Sequence, residues 1–188
     1  MNLSVMLNTL NTKLFFAINN LAGHNHFFDT FFIFLTDVGF KLIFVIVFMY
    51  LFIVLPFKKV NPVERLHAWG QAVLIAISTF LTWALVWYIK VLAMAPRPFE
   101  MLGGVRQLVE ESFKTSFPSN HAALSISLAT AVYFYHKKLG IFLFIIAILI
   151  CLSRIYVGVH FPVDIIVGAL IGAVIPLGVA SVFKRSRE

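Results

Sequence analysis

The sequence predicts an all-α fold, a polytopic transmembrane helix bundle with five clear spans and N-terminal interfacial helices, in one domain covering 1–188. Composition is the first reason. Of the 188 residues, 61% are hydrophobic and only 12% are charged, with a mean hydropathy of +0.95; a soluble domain carries about 25% charged residues. A water-soluble globule and a disordered chain are both excluded. The second reason is run length, because a helix needs roughly 20 apolar residues to cross the hydrocarbon layer. The third is the confinement of most Lys and Arg to the gaps between the runs.

The first forty residues are broken by polar groups. Leu14–Leu21 is interrupted by Asn19 and Asn20, and Phe27–Leu35 contains Asp29 and is followed by Asp37 and Gly39. Both segments are expected to lie in the interface as amphipathic helices; a sixth, polar-rich span over 14–36 is the alternative. The start of the chain lacks a basic stretch ahead of an apolar core and a small-residue cleavage site, so no cleaved signal peptide is expected. Spans follow at 40–57, 69–94, 121–135, 139–157 and 163–183, the third being the shortest. In the last, Gly168 and Gly172 form a small-xxx-small pair suited to close helix packing, and Pro176 predicts a kink.

The net charge of +7 follows the topology rather than a nucleic-acid partner. The gaps 58–68 and 136–138 and the tail 184–188 hold eight Lys/Arg, against four on the opposite side (Lys13, Lys41, Arg106 and Lys114). This asymmetry predicts a multi-pass plasma-membrane protein with a cytoplasmic C-terminus. Cys151 is the single cysteine, so no intramolecular disulfide can form.

Ionisable groups inside spans are costly and mark function by default. Under this topology they gather at the outer end. Lys90 lies near the end of one span, and Arg97 follows seven residues later, on a similar face if the helix continues; Pro96 and Pro98 mark its end. Ser119, Asn120 and His121 open the next span. Ser153 and Arg154 close the fourth, and His160 and Asp164 straddle the start of the last. The chemistry suited to this set is phosphoryl transfer. Two guanidiniums and an ammonium can clamp phosphate oxygens, and the helix start at 119–121 offers free amides. One histidine can serve as nucleophile while the other protonates the leaving oxygen. Asp164 is one turn from His160, where it can hold the second ring nitrogen. Carboxylates that could bind Mg²⁺ are sparse, so no metal or other cofactor is expected, the basic residues taking the metal's place.

Three motifs in order resemble the type 2 phosphatidic acid phosphatases, a superfamily of membrane lipid phosphatases that also includes soluble vanadium haloperoxidases. They are Lys90-x6-Arg97-Pro98, then Pro118-Ser119-Asn120-His121, then Ser153-Arg154-x5-His160-x3-Asp164. The second departs from the family at Asn120, where glycine is frequent; an amide offered to phosphate tolerates a side chain that points away. The resemblance implies His160 as nucleophile, Asp164 as its orienting carboxylate and His121 as general acid and then base. It further implies Lys90, Arg97, Ser119, Asn120 (through its backbone N–H) and Arg154 as phosphate ligands. Arg97-Pro98-Phe99, the loop 99–117 and the run Ser116-Phe117-Pro118-Ser119-x-His121-Ala122 are most similar to bacterial undecaprenyl-pyrophosphate phosphatases of the bacitracin-resistance type. That implies hydrolysis of undecaprenyl pyrophosphate to undecaprenyl phosphate on the outer face. Phosphatidylglycerophosphate, phosphatidate and lipid A 1-phosphate stay open as substrates, as does transfer to an alcohol through the same site. A non-catalytic phospholipid-binding protein is the reading from another class. The expected partners are a lipid phosphate and the surrounding membrane lipids; the oligomeric state is left open.

The remaining polar residues receive structural readings. His24, His26, His67 and His136 are assigned no chemistry. Glu110 and Glu111, on the outer loop, are read as solvated. Phe15, Phe16, Phe27, Phe28, Trp69, Trp83 and Trp87 are read as lipid-facing or interfacial.

Overall fold

The computed structural model describes residues 3–111 and 115–185; Lys114 and Arg187, used in the charge comparison, lie outside them. Every regular element among the described residues is helical: α1 Leu3–Asn19, α2 His26–Phe57, α3 Pro62–Ala93, the single turn α4 Pro98–Met101, α5 Asn120–Tyr135, α6 Lys137–Tyr156 and α7 Pro162–Arg185. Two stretches of α2, Leu35–Gly39 and Tyr50–Val54, are π-helical.

Local chemistry sets the helix ends. The Asn25 side chain accepts from the Phe27 amide at 2.9 Å to start α2, and Asn61 does the same for Val63 at 2.9 Å ahead of Pro62 at the start of α3. Ser119 caps α5. The α3 helix stops where Met94 turns left-handed at φ 41, with Pro96 and Pro98 blocking continuation. Arg97 is therefore not on the Lys90 helix, as an unbroken helix would have had it, but caps α4.

Four stretches are long and apolar enough to cross a membrane: His26–Phe57, Pro62–Met101, Lys137–Tyr156 and Pro162–Phe183. The expectation of five is corrected at α5, whose 16 residues reach about 24 Å at 1.5 Å per residue. The reason is its place in the bundle. It packs against α3, α6 and α7, and Ala122, Ala123, Ser125 and Ser127–Val132 are all buried, so protein rather than lipid sets its length. Small residues allow the approach, and Thr82 and Ser127 share a hydrogen bond of 2.9 Å between α3 and α5.

The N-terminal expectations also change. Phe27–Leu35 is not a separate interfacial helix but the first part of α2, and a single span over 14–36 is ruled out by the break between Asn19 and His26. The carboxylates that looked like interruptions have partners. Asp29 accepts from the Tyr156 hydroxyl at 2.7 Å and the Gly23 amide at 3.0 Å, and Asp37 pairs with Lys41 at 2.6 Å. Phe15, expected to face lipid, is fully buried against Phe161, with centroids 5.5 Å apart. Trp69, Trp83 and Trp87 do face outward. A core of Val47, Leu51, Ile75, Leu128, Val132 and Leu143 packs together, and a second apolar cluster of Phe15, Ala122, Ile155, Phe161 and Ile165 lies next to the motif residues.

Candidate active site

Three chain segments close on one another beyond that core. Lys90, buried near the end of α3, donates to the carbonyls of Thr115 and Ser116 at 2.8 and 2.9 Å, which fixes the approach to the Phe117–Pro118 cis bond and the start of α5. The Ser119 amide donates to the Asp164 carbonyl at 3.0 Å, tying that start to α7. Its hydroxyl accepts from the Ala122 amide at 3.4 Å. At the end of α6 the backbone turns through Gly158, at φ 83, where an added Cβ would lie 2.6 Å from the Arg106 carbonyl oxygen. Only glycine fits this corner, and it delivers His160 to the site.

His160 and Asp164 are both buried, with Nδ1 3.2 Å from Oδ2; the same carboxylate oxygen accepts from the Phe161 amide at 2.9 Å. Burial, with Arg154, Arg97, Lys90 and His121 around it, holds the His160 imidazole well below the usual histidine range. This environment disfavours the protonated ring, and with Nδ1–H donated to Asp164 the lone pair lies on Nε2. On the other side, His121 Nε2 is 3.1 Å from the Thr36 carbonyl oxygen, and its ring stacks on Phe40 at 4.1 Å.

Arg97 Nη1 donates to the Val159 carbonyl at 2.8 Å, beside His160. Arg154 Nη1 donates to the Thr36 hydroxyl at 2.6 Å. The Nη2 atoms of both converge on Glu111, Arg97 on Oε2 at 3.3 Å and Arg154 on Oε1. Two buried polar atoms have no protein partner here, Arg154 Nε and Asn120 Oδ1. A cavity of about 470 Å³ reaches two of these residues, His121 and Arg154, and is lined also by Thr36, Lys41, Glu110 and Glu111.

The structure thus brings together all eight residues singled out from sequence: Lys90, Arg97, Ser119, Asn120, His121, Arg154, His160 and Asp164. Glu111 is corrected from a solvated residue to the bridge between two buried arginines, whereas Glu110 is exposed. Lys41, counted above only in the charge comparison, lies within α2 and lines the cavity. Sequence reasoning missed Thr36 altogether. The π-helical stretch 35–39 carries it, and such insertions are frequent at functional sites, but nothing in the residue types announces one. His67 and His136 lie away from this set, lining a separate cavity of about 380 Å³ with Lys59 and Glu64.

The family model described as the PAP2 superfamily matches residues 67–188, which contain every one of the eight. The chain belongs to the PAP2 superfamily. With membership comes the class, a membrane-embedded hydrolase, and the bundle agrees with other PAP2 proteins over nearly its whole length. It is 31% identical over 170 residues to the protein named undecaprenyl-diphosphatase BcrC of Bacillus subtilis, covering 88% of this chain and 80% of that one. It is 40% identical over 76 residues to the bacitracin transport permease protein BcrC of Bacillus licheniformis, covering 40% of this chain and 37% of that one. The crystal structure of Aquifex aeolicus LpxE superposes with a TM-score of 0.74 at 30% identity, over 92% of this chain and 95% of that one.

Proposed function

We propose that this PAP2 protein hydrolyses a lipid diphosphate, undecaprenyl pyrophosphate, to the lipid monophosphate and inorganic phosphate through a phosphohistidine on His160. One observation carries the reading: a buried imidazole oriented by Asp164 lies among buried cations, one of which, Arg154, has a donor without a protein acceptor. A buried donor of that kind calls for an acceptor, and a phosphoryl oxygen supplies one.

The steps follow from the ring nitrogens. His160 Nε2 attacks the terminal phosphorus; the N–P bond forms as the P–O bond to the lipid phosphate breaks, and the electron pair leaves on oxygen. With the substrate's negative charge beside it, His121 carries a proton on Nδ1, its Nε2 being engaged with Thr36, and gives that proton to the leaving oxygen. Water then attacks the phosphohistidine while His121 Nδ1 takes its proton. The N–P electrons return to His160, and inorganic phosphate leaves. Lys90, Arg97, Arg154 and the amides of Ser119 and Asn120 hold the phosphoryl oxygens and stabilise the charge that builds on them. The name of the Bacillus subtilis relative supports the choice of lipid. The concentration of Lys and Arg in the gaps 58–68 and 136–138, at the ends of the bundle away from Lys90, supports an outer-face site and a cytoplasmic C-terminus.

The test is phosphate release by the detergent-solubilised protein, in the presence of EDTA, on undecaprenyl pyrophosphate, phosphatidylglycerophosphate and phosphatidate side by side. Undecaprenyl pyrophosphate should turn over with the highest kcat/KM, and His160→Ala should abolish turnover on all three. Turnover that survives His160→Ala, or none in the unaltered protein, overturns the reading.

A further inference from the structure

Two buried arginines proposed to bind phosphate already hold an anion that belongs to the chain. The Glu111 carboxylate presents one oxygen to Arg97 Nη2 and the other to Arg154 Nη2. On each guanidinium, Nη1 is engaged elsewhere, with the Val159 carbonyl and the Thr36 hydroxyl. Glu111 is therefore bound to the Nη2 atom of each arginine, and it lines a cavity together with Arg154, with its side chain 16% exposed. A carboxylate spanning two guanidiniums uses the bidentate geometry by which arginine takes phosphate. Two anions cannot share those donors at close range without strong repulsion.

We propose that Glu111 is the resting occupant of the phosphate seat, displaced by the phosphoryl group of the substrate and returning as inorganic phosphate leaves. The proposal rests on the reading of Arg97 and Arg154 as phosphate ligands. Its physical sense is an exchange of anions. While the site is empty, Glu111 spares two buried cations from facing each other uncompensated. A phosphoryl group, carrying up to about two negative charges, wins the exchange. The single charge of inorganic phosphate's competitor is nevertheless enough to weaken product binding and speed release. Glu111 is thus a residue that tunes phosphate affinity, not one that takes part in the bond-making steps.

The experiment measures inorganic phosphate binding to the purified full-length protein in detergent, and phosphate inhibition of turnover, for the unaltered chain, Glu111→Gln and Glu111→Ala. Both variants should bind phosphate at least tenfold more tightly and show a correspondingly lower inhibition constant, with KM for the lipid falling in parallel. Glu64→Gln, away from the site and paired with Lys59 at 3.3 Å, should leave all three quantities unchanged. Running two substitutions at position 111 lets one decide if the other fails to fold. Unchanged or weaker phosphate binding in the folded variants overturns the proposal, as would a Glu111 role limited to holding the loop, which would raise KM. The binding measurement needs no turnover, so failure of the enzymatic reading shows separately as an absence of lipid hydrolysis.

Discussion

Thr36 serves two members of the site at once. Its carbonyl holds His121 and its hydroxyl holds Arg154, so one π-helical residue sets the spacing between the proposed acid and a proposed phosphate ligand. Thr36→Val keeps the shape and the carbonyl but deletes the hydroxyl. It should lower kcat/KM about 10- to 100-fold, the worth of a hydrogen bond to a charged group. Thr36→Ser should restore most of the loss. A fall of less than about threefold in steady-state assays of the valine variant would mean that packing alone orients Arg154. The motif residues around it could be picked out beforehand because titratable groups in apolar runs are rare. Thr36 could not, since a threonine in a hydrophobic helix is ordinary and its partners lie 85 and 118 positions away.

Among the helices, the contact between α5 and α7 is the closest coupling of scaffold to site. An added Cβ at Gly168 would lie 2.6 Å from the Ser119 carbonyl oxygen, and one at Gly172 would meet the Ala123 backbone. Both neighbours are backbone on a helix that is enclosed on several sides, so neither can yield cheaply. Gly172→Ala should therefore cost about 1–3 kcal/mol and lower the thermal midpoint in detergent. Gly178→Ala, on the same helix with nothing within 4 Å, should be neutral or stabilising by about 0.5–1 kcal/mol. Equal midpoints for the two variants would contradict the packing described. The small-xxx-small spacing announced this contact, but the partner helix came only from the structure. The N-terminal helix shows the opposite case. Asn19 looked like an interruption, yet it is fully buried, donates to the Arg106 and Tyr156 carbonyls at 2.8 and 2.9 Å and accepts from the Arg106 amide at 2.9 Å. It is a staple between α1, the loop that carries Arg106 and the end of α6.

At the scale of the molecule, the motif residues gather where α3 ends and α5 and α7 begin, and the basic gaps 58–68 and 136–138 lie at the opposite ends of those helices. In a Cys151→Ala background, a cysteine at Lys138 should react with a membrane-impermeant maleimide only after the cells are opened. One at Gly104 should react in intact cells. The reverse pattern would invert the orientation proposed. Membrane residence and the helical class were legible in the chain, and the eight residues proposed for the site could be nominated from it, because each rests on local quantities: hydropathy over a window, the rarity of ions in apolar runs, and short-range spacing. The length of α5, the continuity of α2, the burial of Phe15 and the bridging of two arginines by Glu111 were decided by packing. Each depends on which distant group arrives to satisfy a polar atom or displace lipid, and one-dimensional order carries no record of such encounters.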